Sequence, residues 1–243
     1  MISILKKELN SFFNASIGHL IVLVFLVLNG LFLWVIPGAF NLLESGYAEL
    51  DGFFQIAPWV FLFLIPSMTM RLFSEELKTG TIELLLTKPI SILQLVLGKY
   101  LAGLSLCLIA LIPTLTYLVS IYYLGHSTEA IDWGPTLGSY LGLVLLSGAY
   151  TSIGVFTSSI TENQVVAFIL SLILCLFSYV GFDQLAELLS HTGMELSIET
   201  LGINYHYKAI SRGVIDTRDL IYFASFITLF LCTSRLSLQT KKW

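Results

Sequence analysis

The chain has 243 residues, of which 56% are hydrophobic and 12% charged, with a formal net charge of −4 and a mean hydropathy of +0.86. A soluble domain carries about a quarter charged residues, so this composition excludes one. What remains is a chain that meets lipid over most of its length.

The apolar residues come in blocks, and a helix needs about 20 of them to cross a bilayer. Six blocks predict spans over 19–36, 53–70, 100–124, 135–156, 165–182 and 220–236, the last being the shortest. The expected fold class is all-α: a polytopic membrane protein with six transmembrane helices, one membrane domain over 1–243 and no internal repeat.

Residues 1–18 precede or open the first span. Over 2–13, Leu5, Leu9 and Phe12 share one helical face, with Lys6, Lys7 and Asn10 opposite. This suits a short helix in the membrane interface, and equally a plain basic flank. The following apolar run is too long for a secretory signal core, and no small-x-small site follows Ile36-Pro37, so an uncleaved anchor is expected.

With both termini in the cytoplasm, Lys6, Lys7, Arg71, Lys78, Lys88, Lys99, Arg235, Lys241 and Lys242 fall inside. Only Lys208, Arg212 and Arg218 fall outside, which matches the positive-inside bias. The first outer loop, 37–52, is short and acidic, and the second, 125–134, is shorter. The inner turn 157–164 makes spans four and five a tight hairpin. The third outer segment, 183–219, is too long for a turn. It predicts one helix over 184–189 before Ser190-His191-Thr192-Gly193 and another over 204–211 ending at Arg212-Gly213, both lying on the outer surface as a lid or interface.

Between spans two and three lies a charged element over 71–99. Arg71 to Lys78 contains no helix breaker, so span two is expected to continue through it. Phe73 and Leu77 share one face; Arg71, Glu75 and Lys78 share another, with Glu75 spaced to meet Arg71. Gly80 supplies the positive φ at which a helix ends. Thr81 is placed to cap a short helix over 82–87, with Glu83 near its N-terminal end and Lys88 near its C-terminal end. Pro89 stops that helix. Ser91-x-x-Gln94 is a capping box for the next one, with Ile90 and Leu95 as its hydrophobic staple. These signals specify an ordered backbone and name no partner.

Within the spans, Gly138-x-x-x-Gly142, Ser147, Gly148, Thr151 and Ser152 permit close helix packing. Gly138, Gly142 and Asn29 are therefore candidates for a dimer interface, although Asn29 fits an intrahelical partner equally well. Cys107, Cys175 and Cys232 show no paired or metal-ligand spacing and are expected to be small packing residues.

The run Glu75-Glu76-x-x-x-Gly80-Thr81-x-x-x-Leu85-Leu86-x-x-Pro89-Ile90-Ser91, followed by Gly98-Lys99-Tyr100-Leu101-Ala102, resembles the type-2 ABC exporter permease family. Residues 153–168, from Ile153-Gly154 through Thr161-Glu162-Asn163-Gln164 to Phe168, resemble the span-four to span-five hairpin of its bacterial members. Ile210-Ser211-Arg212-Gly213 through Asp216-Thr217-Arg218-Asp219 to Tyr222, and the opening 5–13, are similar to the gliding-motility-associated permeases of Bacteroidetes.

The resemblance implies a bacterial inner-membrane permease subunit, driven by a separate ABC ATPase that binds the ATP and Mg. It implies a second permease subunit with a large outer domain, or a copy of this chain, and an association with gliding motility and protein secretion. Membrane lipid is the surrounding solvent, and no nucleic acid is expected. Carried onto this chain, the coupling element is 74–89. Glu75 and Glu76 are its charged contacts or ion-pair partners, Gly80-Thr81 its bend and Glu83 part of its docked face, with Lys78, Lys88 and Pro89 completing it.

The chain lacks the G-x-x-x-x-G-K-[ST] pattern of a phosphate-binding loop. Gly98-Lys99 has no earlier glycine and continues into Tyr100 on a helix, which suits a close helix contact and an interfacial anchor. No catalytic residue, bound cofactor or metal ligand is expected. A secondary transporter would carry ionisable residues inside its spans; here His19, Asp183 and Arg235 sit at span ends, although carbonyl-built sodium sites remain compatible. An intramembrane enzyme would need converging groups, whereas His126, His191 and His206 are scattered outside. The remaining alternative is a non-transporting anchor of a motility or secretion complex, which the small-residue stripe would serve as well as a transporter.

Overall fold

A computed structural model describes residues 1–14, 16–44, 49–87, 90–124, 132–189, 193 and 195–241. Among these residues there is no strand. The helices are α1 (Ile2–Asn14), α2 (Ile17–Gly30), α3 (Asp51–Thr69), α4 (Arg71–Lys78), α5 (Thr81–Leu86), α6 (Ile92–Leu111), α7 (Leu115–Leu124), α8 (Trp133–Ile160), α9 (Gln164–Leu176), α10 (Phe182–Leu188), α11 (Glu195–Glu199), α12 (Ile203–Ser211) and α13 (Thr217–Thr240). A π-type turn, Leu31–Val35, continues α2, and another, Phe177–Gly181, joins α9 to α10.

Six stretches are long and apolar enough to cross a membrane: Gly18–Val35, Asp51–Lys78, Ile92–Tyr123, Trp133–Ile160, Gln164–Leu188 and Thr217–Thr240. They coincide with the six expected spans, and span two does continue to Lys78. Span three changes pitch where Pro113 has no N–H to give: a 3₁₀ turn, Ile112–Thr114, joins α6 to α7. The Tyr140 hydroxyl donates to the Thr114 carbonyl at that turn, 3.1 Å away.

Span four is the centre. The rest of the chain encloses 78% of its most apolar window, against 17% for span six. The reason lies in its small and hydroxyl residues. Ser147, Thr151, Ser152, Thr157 and Ser159 each donate to a carbonyl of their own helix, at 2.7–3.1 Å. Their polarity is thus satisfied locally and neighbours can close in. A Cβ on Gly103 of α6 would stand 2.8 Å from the Thr151 methyl, and one on Gly154 would overlap the Thr69 hydroxyl of α3. Cys107 and Cys175 are buried in this packing, while Cys232 is exposed.

Both termini, the α4–α5 element and the α8–α9 turn lie at one end of the bundle, here called the terminal end. The segment 182–217 lies at the far end. It departs from the sequence expectation in two ways. Among the described residues there are three helices where two were expected, α11 standing after the turn at Gly193 (φ +73°). And α12 is packed into the bundle along one face, with Ile203, Tyr207 and Ile210 buried while Lys208 stays exposed. The seat for α12 is Gly138 and Gly142 of α8. A Cβ on Gly138 would overlap the Ile210 carbonyl oxygen, and one on Gly142 would stand 3.1 Å from the Tyr207 ring. Within the single chain, α12 fills the surface that these two candidate dimer-packing glycines present.

Tyr207 also repairs a backbone fault. Pro58 cannot donate to the Phe54 carbonyl one turn before it, and the Tyr207 hydroxyl donates there instead, at 2.7 Å. Burial, with Tyr179 beside it, pushes the Tyr207 phenol well above its usual range, so it remains a protonated donor. Nearby, His206 is packed rather than solvated. Its ring stacks on Tyr222 with centroids 3.9 Å apart, Nε2 lies 2.9 Å from the Thr200 carbonyl and Nδ1 lies 2.6 Å from Asp219 Oδ1. A carbonyl only accepts, so Nε2 carries hydrogen in that bond. His126 and His191 lie outside the described residues. Asn29 is fully buried, and its side-chain amide donates to the Phe25 carbonyl at 2.8 Å, the intrahelical alternative.

Gly138→Ala is expected to push α12 off its seat and cost about 1–3 kcal/mol. Gly142→Ala meets the Tyr207 ring at 3.1 Å rather than overlapping a backbone oxygen, and costs less. Thermal unfolding of both variants in detergent checks this order; equal melting temperatures would contradict the close backbone approach at Gly138.

Candidate functional site

The terminal end is built on a helix that leaves the apolar core and continues. At the joint between α3 and α4, Met70 keeps helical dihedrals, yet the helix ladder is completed from outside. The Phe73 and Ser74 amides both donate to Ser158 Oγ of α8, at 2.8 and 3.1 Å. Ser158 in turn donates to the Met70 carbonyl at 3.0 Å, which also accepts from the Ser74 hydroxyl. Regular α-helical bonding would send those amides to the Thr69 and Met70 carbonyls. A side chain inserted in the ladder is a recognised place for a helix to change direction.

Beyond the joint, α4 turns Leu72, Phe73 and Ser74 inward and Glu75, Lys78 and Thr79 outward. Gly80 takes φ +71° and ends it, as its residue type predicts. Thr81 departs from expectation. It is the first residue of α5 rather than the cap before it, and its hydroxyl lies 3.0 Å from the Thr79 hydroxyl, facing back to α4. Glu83 falls in the first turn of α5, where a negative charge is favourable. Glu75, Lys78, Thr79, Gly80, Thr81 and Glu83 are all exposed, so the turn forms a polar tip, held by Ile82 packed beneath it. Lys88 and Pro89 lie outside the described residues.

After the tip, the capping box forms as predicted. Gln94 N donates to Ser91 Oγ at 3.2 Å, and Ser91 N donates to Gln94 Oε1 at 3.3 Å. Ile90 and Leu95, the staple pair, both pack into the core. The backbone is thereby returned to the membrane as α6.

Glu75 and Glu76 part company. Glu75 is on the exposed face, while Glu76 points inward to Lys99 of α6, whose side chain is only 1% exposed. Lys99 Nζ lies 2.9 Å from Glu8 Oε1 of α1 and 3.0 Å from Glu76 Oε2, and it donates to the Leu72 carbonyl. The Glu76 contact is off the donor axis and acts as an ion pair rather than an aligned hydrogen bond, since Oε2 has no hydrogen-bond partner. Exposed Lys7 meets the other Glu76 oxygen at 3.2 Å. The Phe73 ring lies 5.0 Å from Lys99 Nζ, and Arg71 sits over the Phe12 ring at 4.3 Å. Each inward charge therefore has an opposite neighbour, as burial requires.

Lys99 is thus a clamp rather than the interfacial anchor expected. Gly98 does make the close helix contact expected of it, since a Cβ there would stand 3.0 Å from the Ile4 side chain. The buried face of α1 is Ile4, Glu8 and Phe12, with Leu5 and Leu9 at its margin. An acid at the centre of an otherwise apolar stripe was the available signal for Glu8. Ser158, one hydroxyl among Thr157, Ser158 and Ser159, gave none.

These contacts join the tip to the bundle. The exposed tip is continuous with span two, tied to α1 and α6 through Lys99, and tied to α8 through Ser158. A cleft of about 410 Å³ lies between Lys78 and the α8–α9 turn, at Glu162, Asn163, Gln164 and Val165. The turn is ordered by Asn163, whose Oδ1 accepts from the Val165 amide at 2.9 Å.

A family model described as ABC-2 family transporter protein matches residues 2–234. No curated protein matches the chain.

Removing one partner of a buried ion pair leaves an uncompensated charge and costs about 3–5 kcal/mol, whereas replacing the whole group is often neutral. Lys99→Met alone is therefore expected to destabilise the protein strongly. Combining it with Glu8→Gln and Glu76→Gln should restore most of the loss. Melting temperatures of the single and triple variants test this, and a triple variant as unstable as the single one would deny the network its role.

Proposed function

Since the chain belongs to the ABC-2 transporter family, and so is a membrane-spanning permease subunit of an ABC transporter, we propose that a separate ATPase subunit docks on its α4–α5 tip and drives export, or conformational work, across the membrane. The observation that carries this is a tip whose described outward side chains, Glu75, Lys78, Thr79, Thr81 and Glu83, are polar, mounted on a direct extension of span two. A force on Gly80 has no slack to take up: α4 is clamped to α1, α6 and α8 by the Lys99 and Ser158 contacts.

Docking contacts are assigned to Glu75, Lys78, Thr81 and Glu83, with Gly80 as the bend and Lys88 and Pro89 completing the element. Glu76 is assigned to the internal clamp. ATP and Mg are bound by the ATPase and not by this chain. The terminal end faces the cytoplasm of a bacterial inner membrane; the basic residues gathered at that end support this. A second permease subunit, with a large outer domain or identical to this chain, completes the membrane part. The similarity of 5–13 and 210–222 to gliding-motility permeases supports a role in gliding motility.

In a complex purified from native membranes, Glu75→Ala with Glu83→Ala should lower coupled ATPase activity several-fold with no change in melting temperature. Glu76→Ala should lower both. Full coupling in the Glu75 and Glu83 double variant would move the docking site elsewhere.

An accessibility tag inserted at Gly193 should be labelled from the periplasmic side, with the outer membrane opened and the inner membrane intact. Labelling solely after the inner membrane is permeabilised would invert the orientation.

A further inference from the structure

At the far end, a cavity of about 630 Å³ opens between α3 and α12, close to the π-type turn after α9. Two helical faces form its walls: Asp51, Gln55 and Trp59 of α3, and Asn204, Lys208 and Arg212 of α12, each set four residues apart. Its character changes along α3. Asp51 and Trp59 are about 12 Å apart along α3, so the wall passes from a charged end to an aromatic one. There the exposed Trp59 meets the buried Tyr179 edge to face, with ring centroids 5.7 Å apart. Lys208 and Arg212 are exposed, and Asp51 is the one acid among the described lining residues, with Asp183 behind Asn204.

A second observation concerns the wall itself. Asn204 is buried, and its amide nitrogen is committed to Asp183 Oδ2 at 2.6 Å, which fixes which way the amide faces. Its Oδ1 is left as a buried acceptor with no donor. That oxygen is enclosed by protein, so Asn204 is a fixed part of the wall rather than a contact for an occupant.

We propose that this cavity binds one anionic phospholipid, its phosphate at Lys208 and Arg212 and its acyl chain along Trp59 and Tyr179. A charged end beside an aromatic one suits an amphiphile and disfavours a wholly polar solute. The two cationic side chains favour a headgroup of net negative charge, such as phosphatidylglycerol, over a zwitterionic one, such as phosphatidylcholine. This site rests on the membrane placement of the chain and not on ATPase docking at the tip, so failure of either leaves the other standing.

The test uses the full chain in nanodiscs, with Trp59 fluorescence isolated by subtracting the signal of Trp59→Phe. Brominated phosphatidylglycerol should quench Trp59 several-fold more effectively than brominated phosphatidylcholine. Lys208→Gln with Arg212→Gln should abolish that preference, and Asp51→Asn, which removes the opposing charge, should increase it. A gain of preference is not a result that misfolding produces. Equal quenching by the two lipids, or a preference indifferent to all three substitutions, would reduce the cavity to ordinary bilayer contact and overturn the proposal. Relief of quenching by added glycerol phosphate would reassign the site to a soluble polyol phosphate, and so overturn the lipid as its occupant.

Discussion

One buried ammonium organises the terminal end. Lys99 cannot be enclosed without anionic company, and the company comes from Glu8 on α1, Glu76 on α4 and the Leu72 carbonyl. Three helices that share no local sequence are therefore held in one mutual orientation. Buried ion pairs add little net stability, because desolvation offsets most of the attraction. Their effect here is geometric: another rotation of α4 would leave a charge unpaired. The polar tip at Gly80 inherits its direction from that constraint.

Span two handles two of its interruptions in the same way. A membrane interior offers no water to complete a broken helix ladder, so a freed backbone group needs a partner from the protein. Near its far end, Pro58 withholds a donor from the Phe54 carbonyl and Tyr207 replaces it. At its terminal end, Ser158 stands in at the Met70 joint. The two repairs come from different segments, so the most heavily interrupted helix is also stapled at both ends.

The features legible in the sequence were those written locally. Apolar blocks of span length placed the six spans, Gly80 marked the end of α4, and Ser91 with Gln94 announced the start of α6. Features that join distant positions were not legible. Glu8 and Lys99 are 91 positions apart, and Ser158 and Phe73 are 85 apart. Lys99 looked like an anchor because a lysine beside a span ordinarily reaches for the interface; only the position of α1 makes it a clamp. The depth of α12 was hidden similarly. Its apolar face is visible in the spacing of Ile203, Tyr207 and Ile210, but the groove that receives it is made by two glycines some seventy positions earlier. Thr81 was misplaced by a single residue, the usual scale of uncertainty at a helix boundary.

The length of α8 has a consequence for distance. Ser158 joins this helix to the base of the tip, and Gly138 holds α12 against its other end. Between them lie about 30 Å of uninterrupted helix, the most enclosed rod in the molecule. A rod gripped at both ends moves as a whole. Axial travel of such a helix at the joint is carried to α12, and α12 is one wall of the far-end cavity. The bundle needs no chain of rearranging side chains to connect its two faces, because one helix already spans them.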